Sequence, residues 1–417
     1  MADDPKPNTL TLLALRCWRN SPLPWMQFQD YARRSQAQWP PPPGFFRSLE
    51  RRFRRFRKQL LGRKPASAPE LVTNAVAPPK PRDDTGPATD FALYVSSLSN
   101  YFFKEMAELL AAGLSAAGWS CQLRTERDGA ARAARTHVVF APHEFFFLGE
   151  GRNCFDRSFQ GRLLLLNTEQ THTQWFRLAA RTFFLARHIF DMSEDSVRVL
   201  RARGYSTSHL RFGFVDGFGL YDGTLPLKLA PETEALGKAV REWRDVGEPL
   251  GARPLDVCFF GEATTRRGRI LVELAPMLQG VESYLRLKPQ GGEPWLAEAT
   301  APDHHTRLSS GIARRSKILL NLHRNDEPYF EWHRIVLMGL WHSTLVVTEP
   351  VTQSAPFVAG RDFVEAKASE MGRVMEYHLR DPRGIAEAER IREQGHRTLR
   401  EACDFGQHLR ETWERFL

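Results

Sequence analysis

The sequence predicts an α/β protein: two doubly wound domains in tandem, preceded by a basic, proline-rich arm. Three observations carry the prediction. A chain of 417 residues, at roughly 150 residues per domain, has room for two or three domains. From Asp90 onward, short apolar runs alternate with helical patterns, and the alternation starts again at Asp256, the order expected when parallel strands are joined by crossover helices. Residues 1–88 hold 16 Lys and Arg against 7 Asp and Glu, whereas the remainder holds 42 of each, so the net charge of +9 belongs to one segment.

That segment also carries 14 of the 27 prolines, including Pro40 to Pro43, which marks it as an arm and places the first domain boundary near residue 89. Within it, Phe46, Leu49, Phe53, Phe56 and Leu60 recur at three- and four-residue steps, giving an amphipathic helix over 45–61. Arg47, Arg51, Arg52, Arg54, Arg55, Arg57 and Lys58 fill its other face. Such a helix suits an anionic membrane surface or an acidic protein partner, and equally suits packing on the body of the same chain. No nucleic-acid-binding motif accompanies the charge, which argues against nucleic acid.

A composition of 42% hydrophobic and 26% charged residues excludes global disorder. No run approaches the ~20 apolar residues of a spanning helix. Asp3 and Asp4 stand where a secretory leader would be basic, so the expected location is cytoplasmic, peripheral at the inner membrane face if the arm binds lipid. Five cysteines without a CxxC pair suggest neither a disulfide framework nor a cysteine zinc site.

In the first domain, 89–250, strands are expected at Phe91 to Val95, Trp119 to Leu123, His137 to Ala141, Leu163 to Leu166, His188 to Phe190 and Leu210 to Phe214. Helices are expected at Tyr101 to Ala117, Gln174 to Phe184 and Glu194 to Arg203, and a glycine-rich linker closes the domain. In the second, 251–417, strands are expected at Asp256 to Phe260, Tyr284 to Leu287, Ile318 to Leu322 and Thr344 to Thr348. Helices fall at Arg267 to Leu278, Arg307 to Arg315 and Phe330 to Trp341, with a helical tail beyond Glu370. Ligands of such sheets bind beyond the carboxyl ends of the strands.

There is no GxGxxG after the first strand, no GxxxxGK[ST], no HExxH and no GxSxG, which weakens dehydrogenase, P-loop, zincin and serine-hydrolase readings. Polar residues at the strand ends of the second domain remain. Gly261 ends a strand and is followed by Arg266, Arg267 and Arg269 at a helix start, where backbone N–H groups and guanidinium donors could hold a pyrophosphate.

The segment Lys317 to Glu349, KILLNLHRNDEPYFEWHRIVLMGLWHSTLVVTE, runs strand, polar loop, helix, strand. It resembles the donor-binding stretch of GT-B nucleotide-sugar glycosyltransferases, in particular the spore-maturation-type group with a family-1-like C-terminal domain. Phe330, Glu331 and Arg334 resemble the start of the family's Arg-bearing helix, and Val346 to Glu349 its VVSE-like strand end. The stretch from Phe259 to Leu274, FFGEATTRRGRILVEL, resembles its phosphate loop. Leu164 to Gln170, Trp175, Asp191, Ser193 and the Gly204 turn resemble the acceptor-side domain of related bacterial sequences. The resemblance implies two Rossmann-like domains facing a cleft and a hexosyltransferase-like activity. The sugar would pass from a nucleotide-sugar donor to a glycan, lipid-linked or protein acceptor, with no bound metal and no further cofactor.

The chemistry assigns roles to these residues. Glu331 or Glu349 could accept ribose hydroxyls. Arg267 and Arg334 could neutralise the diphosphate leaving group, and His323 could hydrogen-bond a phosphate or sugar hydroxyl. The two-glutamate pattern of retaining relatives is not intact, because Gly339 and Leu337 occupy the positions of its second carboxylate. An inverting enzyme needs a general base, for which His143 and Glu144 are the candidates, with Glu169 in reserve. Asp303, His304 and His305 form no metal set, since adjacent histidines diverge. A nucleotide-sugar epimerase, a glycan phosphorylase or a non-catalytic interaction protein on the same architecture are the competing readings. Deleting residues 1–88 is expected to leave nucleotide binding intact and to reduce association with anionic vesicles or an acidic partner, as read by calorimetry and vesicle sedimentation.

Overall fold

The computed structural model describes residues 88–148, 151–155, 157–224, 227, 236–244, 249–289, 302–326 and 334–417. The basic arm, its helix over 45–61 and Glu331 lie outside the described residues. By packing, the described chain divides into two units. One contains residues up to Leu210 together with Leu409–Leu417, and the other runs from Arg211 to His408. The glycine-rich segment after Arg211 therefore groups with the second unit, and the end of the helical tail groups with the first.

The strands of the first unit are β1 (Phe91–Val95), β2 (Cys121–Thr125), β3 (Thr136–Phe140), β4 (Leu163–Asn167), β5 (His188–Asp191) and β6 (Thr207–His209). They form one parallel sheet in the order β2-β1-β3-β4-β5-β6. Its helices are α1 (Tyr101–Ala116), α2 (Pro142–Leu148), α3 (Gln174–Ala180) and α4 (Glu194–Ala202). Every residue of β1, β3, β4 and β5 is buried, as expected for parallel strands covered on both faces, whereas the edge strand β2 is half-buried throughout. Ala92, Tyr94, Val139, Leu163, Leu165 and Ile189 pack on one face with Phe145, Phe176, Phe183 and Leu200.

The second unit holds α5 (Lys238–Glu242), β7 (Leu255–Ala263), α6 (Thr265–Glu273), α7 (Ala275–Gln279), β8 (Ser283–Pro289), α8 (Pro302–Arg315), β9 (Ser316–Asn321), α9 (Ile335–Trp341), β10 (Leu345–Thr348), β11 (Val364–Glu365), α10 (Ala368–Arg380) and α11 (Pro382–Ala402). A last helix, α12 (Phe405–Trp413), begins in this unit and ends in the first. The sheet is again parallel, ordered β11-β10-β9-β7-β8. Its core gathers Val257, Phe259, Ile318, Leu320, Leu345 and Val347 against Ile270, Leu274, Met371, Met375 and Ile391.

Four expectations are corrected. The sixth strand is Thr207–His209, not Leu210 to Phe214. Phe212 instead packs on Phe405 at 5.3 Å and Phe214 on Trp341 at 4.5 Å, so their apolar character serves side-chain packing rather than a ladder. Gly261 lies inside β7, because pairing with β8 continues through Gly261↔Leu287 to Ala263↔Pro289. The helix expected over Arg267 to Leu278 breaks at Leu274, with a proline opening the short helix that follows. Finally, Arg334 has φ −149° and ψ −82°, outside the helical region, so α9 runs from Ile335 to Trp341, while residues 330–333 of the expected helix lie outside the described residues.

The closing residues complete the first unit. Trp413 is fully buried, stacks on Phe190 at 4.4 Å and meets Phe91 at 5.7 Å. Arg410 donates to the Ala116 carbonyl at 2.9 Å, Arg187 donates to the Arg415 carbonyl at 2.7 Å, and Thr136 Oγ1 donates to the Phe416 carbonyl. Trp413→Ala is expected to destabilise the first unit by about 3–5 kcal/mol, the usual cost of truncating a buried tryptophan. Hydrogen exchange should then speed up in β1 and β5 and stay unchanged in β9 and β10.

Candidate functional site

Each sheet reverses its direction of growth once, and the polar candidates sit at those reversals. In the second sheet the chain leaves β7 for β8 on one side and returns to β9 on the other, so the loops after β7 and β9 diverge at their carboxyl ends, the ordinary place for a ligand. Thr264 caps α6, its Oγ1 accepting from Arg267 N at 3.2 Å, and this puts Arg266 in the first turn.

Arg266 is the hub. Its Nη1 donates to Glu349 Oε2 at 2.8 Å and its Nη2 to Glu349 Oε1 at 2.7 Å, a bidentate pair. Nη1 also donates to the His323 carbonyl at 3.1 Å, and Nε donates to Asp326 Oδ1 at 2.6 Å. The amide of His323 adds a bond to Glu349 Oε2 at 2.7 Å. One buried carboxylate at the end of β10 thus fixes both the helix after β7 and the loop after β9. Burial pushes the Glu349 carboxyl up, but the Arg266 and His323 hydrogen bonds outweigh it and hold the group below its ordinary range. In return, Glu349 raises Arg266 above its own ordinary value.

Arg267 points another way. It is 6% exposed, donates Nε to the Leu322 carbonyl at 2.9 Å and Nη1 to the Glu262 carbonyl at 3.4 Å, and lies over the Phe259 ring at 5.7 Å. A Cβ at Gly261 would stand 2.9 Å from Arg267 Nη1, so the glycine makes room for this guanidinium. Arg267 therefore straps the ends of β7 and β9 together. Arg324 pairs with Glu262 at 2.9 Å. The sequence reading missed Glu262, Arg324 and Asp326, although the alternating charges in Arg324-Asn325-Asp326 were visible in it.

Arg334 precedes α9 and takes no part in the Arg266–Glu349 bonds described above. Gly339 packs against the sheet: a Cβ there would meet Val346 Cγ2 at 2.6 Å, and Leu337 is 1% exposed. A side chain at Gly339 would collide with the sheet, and a carboxylate at Leu337 would be buried away from water, so neither position suits an exposed second carboxylate.

The first sheet reverses between β1 and β3, and His143 follows β3. Ala141, the turn residue, adopts a left-handed φ of 44°, a conformation costly without glycine. It is held by bonds from Ala141 N to the Leu166 carbonyl and from the Glu144 and Phe145 amides to its own carbonyl. His143 lies between Phe103 and Trp175, ring centroids 5.7 and 5.8 Å away, with Nε2 3.6 Å from Glu169 Oε1. Burial pulls its pKa down to about 3, so the ring is neutral. A neutral ring that presents Nε2–H to the carboxylate leaves Nδ1 as the acceptor, and Nδ1 is buried without a hydrogen-bond partner among the described residues. The His143 side chain is 2% exposed against 20% for Glu169, so Glu169 is the member of the pair that solvent reaches. Glu144 sits on the first turn of α2 beside His143.

Behind Glu169, Asn167 Nδ2 donates to the Glu169 carbonyl and to Asp191 Oδ2, both at 2.7 Å. Asp191 also accepts from Ser193 N at 2.8 Å. Burial pushes the Asp191 carboxyl up to about 8, against the lowering effect of these hydrogen bonds. Among the described residues no three His, Cys, Asp or Glu side chains gather to hold a metal ion, and no helix is long and apolar enough to cross a membrane.

No family model matches the chain, and no curated protein does. Solved structures do. The crystal structures of Anabaena HepE in complex with UDP-glucose and in complex with UDP and glucose each cover 78% of this chain and 100% of their own, at 12% identity, with TM-scores of 0.51 and 0.50. A sucrose-phosphate synthase from Thermosynechococcus elongatus covers 78% of this chain and 98% of its own at 11% identity, with a TM-score of 0.49. The two-sheet architecture shared with HepE over the whole of that protein is the GT-B fold.

The buried histidines and Asp191 make the stability of the first unit depend on pH in opposite senses. His143 and His137 are pulled down to about 3 and His188 to about 4, by burial in each case. The unfolded chain therefore binds their protons first, and stability present above pH 6.5 is lost as pH falls toward 3. Asp191, raised from 3.8 to about 8, contributes stability that is lost as pH rises through that window. His143→Gln should flatten the acid limb of a urea-midpoint profile, and Asp191→Asn the limb that falls toward pH 8.

Proposed function

We propose that the protein is a nucleotide-sugar glycosyltransferase whose donor diphosphate is held at Arg266. The observation that carries this reading is the Arg266–Glu349 pair at the reversal point of the second sheet, in a fold shared with a protein solved with UDP-glucose. The departing diphosphate gains charge as the bond to the sugar breaks, and a guanidinium already oriented by a buried carboxylate stabilises that charge without reorganising.

Glu349 then acts mainly as the residue that positions Arg266. A carboxylate offers about four acceptor positions, of which Arg266 and the His323 amide take three, leaving room for a single ribose hydroxyl. Arg267 acts as a strut for the same loops. The packing of Gly339 favours an inverting transfer, which requires a base. In this reading Glu169, the accessible member of its pair, takes the proton of the acceptor hydroxyl, with His143 positioning it. The acceptor oxygen then attacks the anomeric carbon, and the bond to the diphosphate oxygen breaks. The acceptor is a glycan, a lipid-linked sugar or a protein.

The test is calorimetry of the purified chain against UDP, GDP, dTDP and CDP. One diphosphate should bind selectively, and Arg266→Ala should weaken it by about 1–3 kcal/mol, the worth of charge-assisted hydrogen bonds. Arg266→Lys, which keeps the charge and loses the bidentate geometry, should fall between the two. Folded protein that binds none of the four would exclude the reading.

A further inference from the structure

Arg266 is held by two carboxylates of opposite character. Glu349 is buried, engages both Nη atoms and is fastened in turn by the His323 amide. Asp326 takes Nε alone, and its side chain is 94% exposed. The first pair is the stronger because it is bidentate and its carboxylate, 5% exposed, has almost no water to return to, whereas the guanidinium side chain is 25% exposed. The second is a single bond at the surface, the kind whose net contribution is small because water replaces it at little cost. Arg324, two residues earlier on the same loop, is tied to Glu262 on β7, so the loop after β9 is clasped to the turn after β7 by two ion pairs of opposite polarity.

We propose that Asp326 is a built-in competitor for the anion site: its carboxylate occupies the outer edge of Arg266 at rest and is displaced by a phosphate oxygen of the incoming diphosphate. The inference rests on the reading of Arg266 as the donor-diphosphate residue and adds how that site is regulated. A carboxylate oxygen and a phosphate oxygen are equivalent acceptors for a guanidinium N–H, and each binds at similar distance. Arg266, Arg324, Glu262, Glu349 and Asp326 already balance to within one charge, so a diphosphate arriving without an exchange would meet two carboxylates around a single shared guanidinium. Releasing Asp326 removes one of them and frees Nε. The buried Glu349 keeps the guanidinium in place throughout, so the exchange costs no reorientation of the cation. The consequence is selectivity by charge: a ligand must offer more than one carboxylate does at this edge to hold the site, which disfavours monoanionic ligands.

Calorimetry with inorganic pyrophosphate and with UDP tests the exchange on the full chain. Asp326→Asn should tighten both roughly three- to tenfold, the gain expected when an occupant held by a weak surface pair no longer takes up part of the competent population. Glu273→Gln removes one exposed negative charge from the same helix without touching Arg266 and should change neither constant. Adding Asp326→Asn to Arg266→Lys should give less gain than Asp326→Asn alone, because the effect runs through the fork of Arg266. Binding that depends on Arg266 but is unchanged or weakened by Asp326→Asn overturns the competitor and leaves the donor reading standing. Binding indifferent to Arg266 in every background, or absent even from Asp326→Asn, overturns the donor reading and the competitor with it.

Discussion

The second unit turns on one constraint: a carboxylate buried at the end of a central strand must be neutralised where it stands. Glu349 has little access to water, so Arg266 and the His323 amide take up most of its acceptor positions. That requirement sets the first turn of α6, draws the loop after β9 over the end of β7 and fixes the plane of a guanidinium at the point where the sheet reverses. Arg267 strengthens the same closure from beneath by donating to carbonyls of both strands. The first turn of α6 and the loop after β9 are therefore tied to each other by these bonds, and in the proposed diphosphate site a charge oriented in advance is the condition under which it is most effective.

Much of this was legible in the sequence. Short runs of three to five residues located nine of the strands within a few positions, most of them because strands covered on both faces must be almost wholly apolar. The residues Arg266, Arg267, His323 and Glu349 were singled out from their places at strand ends, and the structure gathers them around the ends of β7, β9 and β10. Their division of labour was not legible. Arg266 and Arg267 are adjacent, and only the helical phase set by the Thr264 cap decides that one reaches Glu349 while the other turns inward over Phe259. The polar edge strand Thr207–His209 was lost to the apolar run beside it, since an edge strand needs no continuous hydrophobic signal and Phe212 and Phe214 had other partners.

The first unit solves a different problem with similar material. Its strand ends hold neutral or neutralised groups: after β3 an imidazole kept unprotonated by burial, and at the end of β5 an aspartic acid whose proton is retained into the neutral range. Asn167 links that acid to the backbone of Glu169. Where the second sheet presents fixed charge, the first presents polar groups able to accept or hold a proton, and the two chemistries arise from the same geometry of parallel strand ends because desolvation is met by an ion pair in one and by protonation state in the other.

The path of the chain carries a further consequence. Phe214 N donates to the Cys403 carbonyl at 2.8 Å, and Phe405 N donates to the Phe214 carbonyl at 3.0 Å, so the chain enters and leaves the second unit side by side. The second unit is an insertion within the first, which stays missing a piece of its core until Trp413 has left the ribosome. During synthesis the domain begun earliest is thus finished last. Nascent chains halted before residue 409 would hold a second unit with all its strands beside a first sheet still exposing Phe91 and Phe190, the partners of Trp413.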